Sequence, residues 1–106
     1  MINKVSNKQA LFSTLLVNRQ MIKSFGVSKL GVFGSFITWN LKNSSDIDFL
    51  VEFYPEQKSY DNYIDLSYFL EEILGRRVGL VTPQSLSKHI GPHILNQTEY
   101  VAISNY

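Results

Sequence analysis

A chain of 106 residues supports one domain (1–106) around one core and is too short for two. Its apolar content of 44% excludes disorder as the default, and a formal charge of +1, with acids and bases interspersed, leaves no basic block that would make nucleic acid a direct partner. With no cysteine, a polar start over Met1 to Lys8 and no apolar run near the ~18 residues that span a bilayer, a cytoplasmic chain without disulfides, thiolate metal sites or membrane contact is expected.

The first element reads as a helix. Leu11, Phe12, Leu15, Leu16, Ile22 and Phe25 recur at three- and four-residue spacing, and Gly26 follows as a stop. Lys29 to Phe33 is a short β-type run ended by Gly34-Ser35, and Phe36 to Ser45, which includes Trp39, reads as a helical turn plus loop. Ile47 to Phe53 is the clearest strand, with Ile47, Phe49, Val51 and Phe53 on one face and Asp46, Asp48, Leu50 and Glu52 on the other. A second helix is expected from about Asp61 to Leu74, with Tyr63, Leu66, Leu70 and Ile73 on its buried stripe and Gly75 as its stop. Arg76 to Val81 reads as a strand and Thr82-Pro83 as a helix start, while Gly91-Pro92 reads as a break; Tyr100 to Ile103 closes the chain as an edge strand.

Connection lengths then constrain topology. The modest loop between the first two strands favours an antiparallel pair. The helix after Phe53 makes a β-α-β unit with a parallel third strand, since fourteen helical residues span roughly 21 Å. Ser35, Asp46 and the start of the Arg76 strand should therefore meet at one end of a mixed sheet.

Two carboxylates at i and i+2 on a strand share a face and lie ~6.5 Å apart along it. Asp46 and Asp48 can hold a hard cation such as Mg²⁺, with water and substrate phosphates completing its shell. Gly34 lets a phosphate approach the backbone, and Ser35 adds a hydroxyl. Each half alone has a bland alternative, a solvated pair of aspartates or an ordinary tight turn.

Together they carry more. Gly34-Ser35, ten intervening residues, then Asp46-Ile47-Asp48 opening a strand resembles the signature of the DNA polymerase β-like nucleotidyltransferases. The chain is most similar to their smallest branch, the minimal nucleotidyltransferases (MNT), through Val32-Phe33-Gly34-Ser35, Ser45 to Phe53, and Leu74-Gly75-Arg76-Arg77-Val78-Gly79-Leu80-Val81-Thr82-Pro83. The resemblance implies an α/β (α+β) fold, a small mixed β-sheet with helices packed on one face. It also implies Mg²⁺-dependent transfer of a nucleoside monophosphate, usually AMP from ATP, to a hydroxyl with release of pyrophosphate. Gly34 and Ser35 would bind the nucleotide, and Asp46 and Asp48 would be the catalytic, metal-binding pair. Members of this branch resemble antitoxins paired with an all-helical HEPN toxin, whose tyrosine they can adenylylate.

Two positions depart from the family pattern. Its third carboxylate falls where this chain has Gly79, and the arginine common after Gly-Ser is replaced by Phe36. By parity residue 79 faces the site together with Arg77. A second reading follows: a degenerate antitoxin that neutralises its partner by binding. Substitutes are unconvincing. Glu52 lies ~13 Å along the strand from Asp48, and Glu99 serves only if the C-terminal segment folds back over the site.

His89 and His93 have the i, i+4 spacing of a helical metal pair, but Gly91-Pro92 between them should break the helix, so surface histidines are the expectation. Arg76-Arg77 either touches phosphate or forms a solvated strand end. Tyr54, Tyr60, Tyr63, Tyr68, Tyr100 and Tyr106 either serve the core or mark an interface, and with Trp39, Tyr60 and Tyr68 exposed a homo-oligomer is an open expectation.

Overall fold

Asn18 splits the first helical segment in two. In the computed structural model, which describes residues 4–34 and 46–103, α1 (Lys8–Val17) and α2 (Arg19–Ser24) flank it. The sequence reading missed this break. Its cause is local, since the Asn18 side chain donates to the Thr14 carbonyl at 2.8 Å and Arg19 donates to the Leu16 carbonyl at 2.9 Å. The Asn18 amide is shared between the Thr14 and Leu15 carbonyls at 3.2 Å each, and the two side chains add donors to the carbonyls of this last turn. The buried stripe continues across the break through Leu11, Leu15 and Ile22.

Strand β1 (Val27–Phe33) follows, then β2 (Ile47–Phe53), whose bounds match the alternation in the sequence. The expected helical turn over Phe36 to Ser45, with Phe36 and Trp39, lies outside the described residues, as do Ser35 and Tyr106. Helix α3 (Tyr60–Leu74) begins where the Ser59 side chain accepts from the Asn62 amide at 3.1 Å and ends at Gly75, whose φ of 67° is left-handed.

The third strand, β3 (Val78–Val81), is shorter than expected. Arg76 is excluded from it because its buried Nε donates to the Val5 carbonyl at 2.6 Å, while the Val5 amide donates to the Leu74 carbonyl at 3.0 Å. Those bonds fasten the N-terminal segment to the α3–β3 junction.

Thr82-Pro83 opens only a 3-10 turn (Pro83–Ser85), without a side-chain cap from Thr82. Gly91-Pro92, read as a break, instead starts helix α4 (Gly91–Gln97). Proline in a first turn lacks an N–H that would be unpaired anyway, so it opens a helix as readily as it ends one. The last strand, β4 (Glu99–Val101), begins one residue early and ends two short of Ile103.

The sheet order is β3-β2-β1-β4, with β1 antiparallel to β2 and β4 and with β2 parallel to β3. Ile47, Phe49 and Val51 pack in one core with Leu11 and Leu15 of α1, Ile22 of α2, and Leu66, Leu70 and Leu74 of α3. The sequence expectation of a mixed sheet with helices on one face therefore holds. Leu50, on the other face, is also buried. Its register partner Gly31 lies beneath the side chains of Thr98 and Tyr100.

Phe49 is fully buried between its register neighbours Val32 and Leu80. Phe49→Ala should cost about 3–5 kcal/mol, the range for removing a core aromatic. The expected signature is a lower urea midpoint at unchanged m-value.

Candidate active site

Antiparallel pairing brings Phe33 opposite Asp48, and parallel pairing brings Gly79 opposite the same residue. Asp48 is thus the point where β1 ends, β2 begins and β3 begins. The chain leaves β1 through Gly34 with φ of 85°, a conformation that L side chains rarely adopt. A Cβ at Gly34 would fall 2.5 Å from Asp48 Oδ2, and one at Gly79 would fall 3.2 Å from Asp48 Oδ1. Two glycines therefore bracket the carboxylate, one beside each oxygen.

Asp46 is exposed just before β2, and by alternation it shares the site face with Asp48. Burial, and after it the negative charge of Asp46, hold the Asp48 carboxyl above the usual carboxylate range. Among the described residues no ion pair relieves either aspartate, the observed one being Lys8 with Glu99 at 2.6 Å.

Gly34, Asp46, Asp48 and residue 79 thus come together as the strand spacing implied. Residue 79 faces the site as parity required, and as glycine it offers no carboxylate. Ser35 and Phe36 lie outside the described residues. Glu52 stays down the strand opposite Lys29. The C-terminal segment does fold back beside the site, yet Glu99 is turned to Lys8. Arg76 is buried against Val5 and is not placed for phosphate, whereas Arg77 is exposed just ahead of β3, its carbonyl accepting from the Ile47 amide at 3.0 Å.

His89 and His93 are both exposed, and His89 precedes α4, so the two do not share a helix. Among the described residues no group of three or more His, Cys, Asp or Glu could hold a metal. Tyr54, Tyr60, Tyr68 and Tyr100 are exposed, while the Tyr63 hydroxyl donates to the Leu80 carbonyl. No helix among the described residues is long and apolar enough to cross a membrane.

One contact had no sequence signal. Gln97, the last residue of α4, accepts from the Gly34 amide at 3.0 Å across 63 residues of chain. An exposed glutamine at a helix end carries no pattern, so only the fold reveals it.

A strand-end carboxylate pair on a mixed sheet, beside a glycine in the left-handed region, is an arrangement that can hold a hard cation and admit phosphate oxygens. The chain belongs to the nucleotidyltransferase domain family, whose model matches residues 17–103. It is 40% identical over 83 residues to protein adenylyltransferase MntA of Thermococcus cleftensis, covering 78% of this chain and 83% of that protein. A solved structure provisionally described as a minimal nucleotidyltransferase matches with a TM-score of 0.68 at 27% identity, over 83% of this chain and 93% of the other. A chain in the solved complex of tri-AMPylated Shewanella oneidensis HEPN toxin with MNT antitoxin shares the fold with a TM-score of 0.53 at 19% identity, over 85% of this chain and 71% of that one.

Proposed function

We propose that this chain is a Mg²⁺-dependent nucleotidyltransferase that moves AMP from ATP to a hydroxyl, a tyrosine of a HEPN-type toxin, and so acts as an antitoxin. The observation that carries this reading is the Asp48 carboxylate, half-buried, bracketed by Gly34 and Gly79, and repelled by Asp46. Two adjacent carboxylates with no ion-pair partner among the described residues suit a metal that takes one or two carboxylates and fills its shell with water and phosphate oxygens. Asp46 and Asp48 would hold Mg²⁺, which when bound neutralises charge on the phosphates. Further support comes from the relatives, one named an adenylyltransferase and another a complex with an AMPylated toxin.

In the transfer, the acceptor hydroxyl oxygen bonds to the α-phosphorus, the bond from that phosphorus to the β-phosphate oxygen breaks, and pyrophosphate leaves. Gly34 lets the triphosphate approach the strand end closely, and Ser35 adds a hydroxyl. The hydroxyl proton passes to water, since position 79 offers no carboxylate to take it. That gap supports a second reading, an antitoxin that binds nucleotide and partner but transfers poorly.

Label transfer from α-³²P-ATP to the HEPN partner, with Mg²⁺ and with EDTA, tests the proposal. Mg²⁺-dependent labelling of the partner is expected. Mg·ATP binding without labelling selects the second reading, and absence of both binding and labelling overturns the nucleotide site.

A further inference from the structure

We infer that Gln97 sets the nucleotide affinity of this site, by occupying in the free chain the Gly34 amide that a phosphate oxygen takes in the bound one. The inference rests on the nucleotide-binding reading above and adds to it a residue from a distant element.

The Gly34 amide donates to Gln97 Oε1 at 3.0 Å, a normal hydrogen bond, and a backbone N–H has one proton to give. That amide belongs to the residue lying against Asp48 Oδ2. A phosphate bound at once to this amide and to a cation on Asp48 therefore meets Gln97 in its place. The Gln97 carboxamide oxygen is a neutral stand-in for a phosphate oxygen.

Two features make the contact displaceable without unravelling the fold. The β1–β4 ladder runs Leu30 with Val101, Gly31 with Tyr100 and Val32 with Glu99, and its register extrapolates to Gly34 opposite Gln97. There the partner is a side chain instead of a backbone carbonyl, so a rotamer change releases the amide while the ladder stays paired. The chain on either side is anchored: the Thr98 hydroxyl donates to the Ile94 carbonyl at 2.6 Å, and Glu99 pairs with Lys8 at 2.6 Å. Gln97 itself is exposed, so water can serve its carboxamide once it swings away.

The sign of the effect follows. Removing a competitor tightens binding, whereas removing a phosphate ligand weakens it. Gln97→Ala should bind Mg·ATP about two- to tenfold more tightly, the range set by one net neutral hydrogen bond. Gln97→Asn, one methylene shorter, should do the same while keeping the surface polar. Gln97→Glu should weaken binding by more than about tenfold, because a charge-assisted bond to the amide is stronger and the added charge repels the triphosphate.

The experiment is calorimetric titration of Mg·ATP into wild type and the three variants of the full chain, with the Gly34 amide followed by NMR. Its resonance should shift in ligand-free Gln97→Ala yet coincide with wild type at saturation. Unchanged or weaker affinity in both Gln97→Ala and Gln97→Asn, while wild type binds, overturns the inference alone. If wild type itself binds no Mg·ATP, the nucleotide reading falls first and this one with it.

Discussion

Gly79→Asp is expected to raise AMP transfer by ~10²–10⁴-fold, the usual contribution of a positioned general base. Residue 79 lies directly opposite Asp48 on the parallel neighbour strand. A Cβ there meets Asp48 Oδ1 at 3.2 Å, so the Asp48 carboxylate must yield by a few tenths of an ångström. A side-chain terminus can do that, and strand glycine is unfavourable in any case. The new carboxylate would stand within reach of the acceptor hydroxyl and complete a three-carboxylate cage. Without metal, three negative charges should lower the melting temperature, and added Mg²⁺ should restore it. Label transfer to the HEPN partner, wild type against variant, measures the rate. If wild type already transfers fast and the variant adds nothing, another group takes the proton. If both bind Mg·ATP and neither transfers, the defect lies elsewhere, and Phe36 is the next position to change.

Asp46→Asn/Asp48→Asn should reduce Mg·ATP affinity by ~100-fold or more while making the metal-free chain more stable. Each lost carboxylate removes a ligand of the cation that neutralises the phosphates, and two such losses, each worth the ~10-fold of 1.4 kcal/mol, multiply to ~100-fold. The stability gain follows from the raised Asp48 carboxyl. A group whose folded pKa lies above its unfolded value adds stability that is fully present below the unfolded pKa and is lost as pH rises through the folded one. At neutral pH the ionised Asp48 is therefore a liability, and asparagine removes it. Metal-dependent nucleotide binding in the wild type should correspondingly fade as pH drops, starting above the ordinary carboxylate range. Calorimetry against pH and thermal melts of both proteins check the two halves. Equal affinity in the double variant would remove the aspartates from the site. A destabilised double variant would show that neither the burial of the Asp48 charge nor its repulsion by Asp46 is felt in the fold.

Much of this was legible in the residues because it depends on local rules. The alternation of Ile47 to Phe53 places both β2 and its two faces, and the apolar stripe with its Gly75 stop places α3, whose start at Tyr60 lies one residue before the expected Asp61. The side on which residue 79 faces follows from parity alone, and the register bears it out. Contacts between distant parts of the chain were not legible. Arg76 reads as a strand residue until Val5 captures its guanidinium, and Asn18 reads as helix until its side chain takes a carbonyl. Gly91-Pro92 permits either a break or a start, and position relative to the sheet decides between them. Gln97 belongs to the site only because β4 returns alongside β1.

The order β3-β2-β1-β4 puts the two seven-residue strands in the middle and the strands of four and three residues at the margins. Unpaired strand edges invite another chain to add on by backbone hydrogen bonding, and short edges offer it little purchase. Growth of the sheet from molecule to molecule thus has little backbone edge to use among the described residues. Among the described residues, the side chains a neighbouring protein could meet instead include Tyr60 and Tyr68, 77% and 68% exposed on α3.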